Sequence, residues 1–176
     1  MNQKLLAAFA AVCISSVSVA ADAPGSRPSD RKAREILEKV ISIPTELGRG
    51  KVPEMAEYLA GEFRAAGFPA DDITVLPYTV TGDKTAALIV RYRGTGKSGK
   101  KPIVVMAHMD VVTARRADWE RDPYQLVEEN GYFFGRGTAD IKSGVTGLTA
   151  TFLRLRQEGF KPSRDLIIYF SGDEDD

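Results

Sequence analysis

The stretch Ile103-Val104-Val105-Met106-Ala107-His108-Met109-Asp110 decides the fold, because an apolar run ends directly in a histidine and a carboxylate. A short, largely β-branched run bounded by polar residues reads as a buried strand. The residue just past such a strand lies at its carboxyl end, where open α/β sheets bind ligands. His108 is the sole histidine of the chain. With Asp110 two positions on, it suits a metal site: one ring nitrogen binds the ion while Asp110 fixes the proton on the other. A histidine satisfied in a core or a turn gives the same short pattern, and the motif alone is weak.

Two further acidic segments change that balance. Gly135-Arg136-Gly137-Thr138-Ala139-Asp140 follows a hairpin strand and opens a helix. Ser171-Gly172-Asp173-Glu174-Asp175-Asp176 follows Leu166-Ile167-Ile168-Tyr169-Phe170, a second buried-strand pattern. All three acid-bearing segments therefore fall at strand ends, where one rim of one sheet can gather them. Each has a plainer reading. Asp140 suits a helix N-cap, and Asp173–Asp176 suits a solvated acidic end. Lys142 is expected to be a surface lysine of the helix. Gly135 and Gly137 read as backbone-turn residues, since no G-x-G-x-x-G or G-K-[ST] is present. Trp119 either lines a cleft or packs the long loop around it.

The remaining pattern alternates helix and strand. Helix one is expected over Arg31–Ser42, capped by Ser29 or Asp30 and stopped by Pro44. Helix two runs from about Pro53 to Ala66 and ends at Gly67. Strands follow near Ile73–Val80, Ala86–Tyr92 and Pro102–Ala107. Asn130-Gly131 predicts a tight turn pairing Gln125–Glu128 with Tyr132–Phe134, since both residues accept positive φ. Ile141, Val145, Leu148, Phe152 and Leu155 mark a helix ending at Gly159, and the strand Leu166–Phe170 comes last. The alternation predicts an α/β fold, a mixed sheet flanked by helices with runs buried on both faces.

The chain has 176 residues, with 24 basic and 24 acidic side chains. Those numbers bound it to one globular domain or part of one, and give no basic excess to suggest nucleic acid. Residues 1–21 read as a signal peptide: Lys4 precedes an apolar stretch, and small residues lead to Val19-Ala20-Ala21. Residues 22–30 read as a flexible spacer rich in Pro, Ser and Gly. Residues 31–176 are expected to form the folded part, and the mature chain, spacer included, is expected in the periplasm or outside the cell, with no membrane contact. Its one cysteine, Cys13, falls in the signal segment, so no disulfide is expected.

Carboxylates with one imidazole are ligands for zinc, manganese or cobalt, not for soft copper or iron–sulfur centres. A carboxylate can bridge two such ions, which together activate a water and polarise a carbonyl. Glu174, beside a ligand candidate, is free to move a proton. Serine nucleophiles fit less well, because neither Ser143 nor Ser171 sits in a Gly-x-Ser-x-Gly elbow.

The segments Val105–Val112, Gly135–Gly144 and Ser171–Asp175 together resemble the dinuclear-zinc amidohydrolases of the glutamate carboxypeptidase, aminoacylase and succinyl-diaminopimelate desuccinylase family. Ile41-Ser42-Ile43-Pro44, Tyr58-Leu59-Ala60 and Ala65-Ala66-Gly67-Phe68 extend the likeness over the mature chain. The resemblance implies a zinc-exopeptidase-like catalytic domain. In it His108 binds one zinc, Asp140 bridges two, Asp175 binds the second, Asp110 orients His108, and Glu174 is the general base. It also implies a cis peptide between Asp140 and Ile141. The family has Glu where this chain has Asp175, which shortens that ligand arm. Its remaining ligands, an acid and a late histidine, are absent, as is its lid or dimerisation domain. The chain is therefore expected to be the amino-terminal half of a catalytic domain, incomplete at its carboxyl end and inactive alone.

The expected activity is hydrolysis of a peptide or N-acyl amide bond by a zinc-activated water, of the carboxypeptidase or dipeptidase kind. The complete protein is expected to hold two zinc ions, with cobalt or manganese as substitutes, to take a peptide or N-acyl amino acid, and to be open to homodimerisation. The alternatives are a co-catalytic zinc aminopeptidase and a non-catalytic binding protein on the same fold.

Overall fold

The computed structural model describes residues 27–175. The signal segment and most of the spacer lie outside the described residues. Helix α1 spans Pro28–Ile41, so it starts inside the expected spacer and three residues early. Pro28 explains this: at the first turn its missing N–H has no partner to lose and its φ is already helical. Arg27 is the N-cap, without a side-chain cap bond, and neither Ser29 nor Asp30 caps the helix. Helix α2 spans Val52–Ala65. It ends where Gly67 takes φ +82°, with Phe68 N–H bonded to Phe63 O at 3.1 Å. That is the closure expected of a glycine past a helix end.

Strands β1 (Ile73–Val80), β2 (Asp83–Tyr92) and β3 (Ile103–His108) follow, then the small hairpin β4 (Val127–Glu129) and β5 (Tyr132–Phe134). Asn130 and Gly131 make its turn with φ +53° and +80°, as expected. Helix α3 (Lys142–Gln157) leads into β6 (Leu166–Ser171). The main sheet has the order β1-β2-β6-β3. β1 and β2 pair antiparallel, as do β2 and β6, whereas β3 and β6 run parallel. A parallel pair needs a long crossover, and residues 109–165, containing α3, supply it.

The register sorts the two faces. Val105 and Ala107 stand opposite Ile168 and Phe170, which in turn face Val90 and Leu88. Ile168, Phe170, Leu88 and Val90 are fully buried against a core that includes Ile36, Val40, Met55, Leu59, Phe63 and Val145 from the helices. The alternate set carries Val104 and Met106, which are 53% and 65% exposed. The expectation of strands buried on both faces is therefore corrected. β3 is an edge strand, and its apolar run has one covered face. β6 is an interior strand, paired with β2 on one side and β3 on the other.

Candidate metal centre

Parallel pairing of β3 with β6 sets His108 opposite Ser171, so the two strands release their chains side by side at one rim. Met109 N–H continues the ladder to Ser171 O at 2.8 Å. From there the two acid-bearing ends are cross-linked. The Asp110 carboxylate, 3% exposed, accepts the backbone N–H groups of Glu174 and Asp175 on one oxygen, at 2.7 and 2.8 Å. Its other oxygen is buried without a hydrogen-bond partner.

Gly172 permits this approach. A Cβ there would lie 2.5 Å from Ala86 O and 2.6 Å from Val52 Cγ1. Thr85 Oγ1 donates to Gly172 O at 2.6 Å, and Tyr78 donates its hydroxyl to Asp173 at 2.7 Å. Burial, with the Asp173 bond, pushes the Tyr78 hydroxyl up to about 12.

His108 is buried, and its two nitrogens face different groups. Nε2 lies 3.2 Å from Asp140 Oδ1 and 3.5 Å from Glu174 Oε2. Nδ1 lies 3.2 Å from the Asp110 backbone carbonyl, 3.6 Å from the Asp110 carboxylate and 3.8 Å from Asp175. The nearest partner on the Nδ1 side is thus the backbone oxygen of Asp110, not the carboxylate that sequence reasoning assigned to it. Burial alone would hold the His108 pKa down. Asp110 and Asp175 outweigh it, helped by bonds to Asp110 and Asp140, and the net shift is upward. Asp175 is raised by burial and by Asp110, Asp140 and Glu174, against the opposing pull of His108.

All five residues singled out from the sequence come together around one imidazole. Donor atoms of His108, Glu174 and Asp175 lie within 4.8 Å of one another, a set that suits a divalent cation. Asp140 stands on the Nε2 side and is 76% exposed at its side chain. It is not a helix cap: the N-cap of α3 is Ile141, with no side-chain cap bond. The Asp140–Ile141 peptide is cis, as the resemblance implied.

Lys142 departs furthest from its expectation. It is fully buried, not a surface lysine. Its ammonium donates to Val40 O at 2.8 Å and Ile43 O at 2.6 Å, at and just beyond the end of α1. Burial holds its pKa down to about 7 against the raising effect of Asp110. Its stem lies against Gly137, φ +91°, where a Cβ would come within 2.8 Å of Lys142 Cδ. The sequence did carry a signal: a cation in a first helical turn opposes the helix dipole, so a compensating partner was to be sought.

Sequence reading also missed Thr45 and Glu46, in the link between α1 and α2. Thr45 Oγ1 donates to Met109 O at 2.6 Å, and Val111 N–H to Thr45 O at 3.3 Å. Glu46 accepts Ala114 N–H at 2.9 Å and the Tyr124 hydroxyl at 2.8 Å, and pairs with Arg49. Trp119 borders a recess of about 340 Å³ with Arg121, Phe134 and Gly135, and Arg136 stacks 5.3 Å from its ring centroid.

The rim thus sets an imidazole among carboxylates that could hold a divalent cation. Residues 104–176 match the peptidase family M20/M25/M40. An acetylornithine deacetylase of Dictyostelium discoideum is 32% identical over 122 residues, 68% of this chain and 26% of that protein. An N-fatty-acyl-amino acid synthase/hydrolase of Mus musculus is 29% identical over 148 residues, 81% of this chain and 28% of that one. Among solved structures, the di-peptidase Dug1p from Saccharomyces cerevisiae shares the fold, with a TM-score of 0.68 at 22% identity over 81% of this chain and 32% of that one. The chain spans about a quarter to a third of the length of these proteins. M20 metallopeptidases are metal-dependent.

Proposed function

We propose that the chain carries the metal-binding part of a zinc-dependent hydrolase that cleaves a peptide or N-acyl amide bond. The carrying observation is the gathering of His108, Asp140, Glu174 and Asp175 around one imidazole at the shared end of β3 and β6. The substrate class rests on the relatives, whose names describe a deacetylase, an N-acyl-amino acid hydrolase and a dipeptidase.

His108 and Asp140 would hold the ion from the Nε2 side, with Asp175 the ligand toward a second. A bound divalent metal would polarise the substrate carbonyl and acidify a water. Asp110 fixes His108 from the Nδ1 side and the Glu174–Asp175 backbone at once. Glu174, with its side chain 62% exposed, would serve as the general base that moves a proton between a water and the leaving nitrogen. Among the described residues the donor set is short for two ions, each of which generally needs three or four ligands. The 176 residues alone would therefore hold one ion weakly and turn over little. Residues 1–21 support an exported location, and a homodimer remains part of this reading.

The test uses the longest form in which the chain is made, assayed on dipeptides and N-acyl amino acids with zinc. Glu174→Gln keeps the shape and removes the base, so turnover falls by about 10²–10⁴ while zinc content holds. Near-wild-type turnover would reassign the base. Wild-type protein that takes up no zinc would leave the non-catalytic binding protein as the better reading.

A further inference from the structure

We propose that Lys142 is a positioning residue for the metal centre: through residues 43–45 it fixes where Asp140 stands relative to His108. The inference rests on the metal reading above. Asp140 rides on a loop, Gly135–Ile141, that leaves β5 and enters α3. Two residues on, the Lys142 ammonium reaches back to Val40 O and Ile43 O. Two residues beyond Ile43, Thr45 bonds in both directions to the segment after His108, donating to Met109 O and accepting from Val111 N–H. The path Asp140–Lys142–Ile43–Thr45–Met109–His108 thus closes a ring through the protein interior, with the two proposed ligands at its ends.

Two features say that this is more than filling of the core. A fully buried cation at a helix N-terminus is disfavoured both by desolvation and by the helix dipole. An apolar side chain of that length would fill the same space without either cost. The loop is also shaped around the stem. Gly137 has no room for a Cβ beside Lys142, and its positive φ turns the chain over it. Asp110, which joins the third motif to the first through the Glu174 and Asp175 amides, is the charge that acts on Lys142. Lys142 thus belongs to the second motif segment, feels the charge of the first, and is bonded to the end of α1.

The test compares wild type, Lys142→Met and Lys142→Arg in the longest form of the chain. Cobalt(II) alone is the probe, read by its visible d–d spectrum and by its dissociation constant, with circular dichroism and urea denaturation reporting the fold. Lys142→Met should fold, bind cobalt at least tenfold more weakly, the scale of outer-shell losses, and shift the d–d bands. Lys142→Arg, whose fork also offers donors to both carbonyls, should recover part of that loss. Wild-type affinity and spectrum in a folded Lys142→Met would overturn the proposal. So would a Lys142→Arg that folds but is no better than Lys142→Met. Failure of Lys142→Met to fold would assign the residue to stability alone and overturn it equally. A wild type that binds no cobalt would instead break the metal reading beneath it.

Discussion

Two acidic loops meet at the rim, and they are built on opposite plans. The loop after β6 is fastened from outside: Asp110 holds its amides, Thr85 holds Gly172, and Tyr78 holds Asp173. As a result Asp175 is 11% exposed at its side chain. The loop before α3 is fastened from beneath, by the buried ammonium of Lys142, and leaves Asp140 76% exposed. The first plan fixes the backbone from several sides and buries Asp175, although Glu174 beside it stays 62% exposed at its side chain. The second fixes the backbone and leaves the carboxylate free to meet a ligand. Preorganisation of a site needs the first kind of support and access to it needs the second.

If the β6 loop is as tightly set as this, it should tolerate no added atoms. Gly172→Ala would place a Cβ 2.5 Å from the backbone oxygen of Ala86 and 2.6 Å from Val52. Because backbone cannot yield as a side chain does, the expected loss is about 3 kcal/mol or more by urea denaturation. Gly147→Ala, in α3 with nothing within 4 Å, is the matched control and should gain about 0.5–1 kcal/mol. Equal effects at the two glycines would remove the contrast. The next largest effect belongs to Asp110. Asp110→Ala strands two part-buried amide donors, each costing about 1–3 kcal/mol when unmet. A loss of about 2–3 kcal/mol is expected in the same measurement, and less than about 1 kcal/mol would show that water replaces the carboxylate.

The two plans were unequally legible in the sequence. His108, Asp110, Asp140, Glu174 and Asp175 were all readable, because each lies at a boundary where an apolar period stops, and those boundaries are set by local residues. The order β1-β2-β6-β3 was not readable, since pairing partners depend on contacts distant along the chain. That is why Ile103–Ala107 looked buried on both faces, although Val104 and Met106 belong to an edge strand. Lys142 was misread for a related reason. Burial of a lysine depends on where the end of α1 lies, about a hundred residues away along the chain, and nothing local in 142–157 encodes that. Thr45 and Glu46 were invisible as site supports because threonine and glutamate between helices are ordinary there.

Glu46 sharpens the comparison through pH. Burial works to raise its pKa, but the bonds from Ala114, Tyr124 and Arg49 outweigh it, and the net pKa lies below the ordinary 4.5. A folded pKa below the unfolded one contributes stability that is fully present above about 4.5 and lost as pH falls through the folded value. Glu46→Gln should therefore cost about 1–2 kcal/mol at neutral pH, the scale of hydrogen bonds to a charged group. The gap between variant and wild type should close as pH drops below 4.5. A gap that stays constant from pH 7 to pH 3 would mean that shape, not charge, ties this link to the loop beyond Asp110.

The smallest stability effect should come from Asp140, a proposed ligand. Asp140 caps no helix, and its described side-chain partner is His108 Nε2 at 3.2 Å. Its carboxylate is mostly in water, so Asp140→Ala removes neither packing nor a buried bond. Exposed substitutions of that kind fall within about 0.5 kcal/mol. Loss of the negative charge beside the imidazole should nonetheless weaken cobalt binding by at least about tenfold. Asp110→Ala should lower both quantities together. The two aspartates thus separate support from ligation in one experiment. If Asp140→Ala lost stability on the Asp110 scale, the loop before α3 would be held by its carboxylate after all. Lys142 would then lose its place as the anchor from beneath.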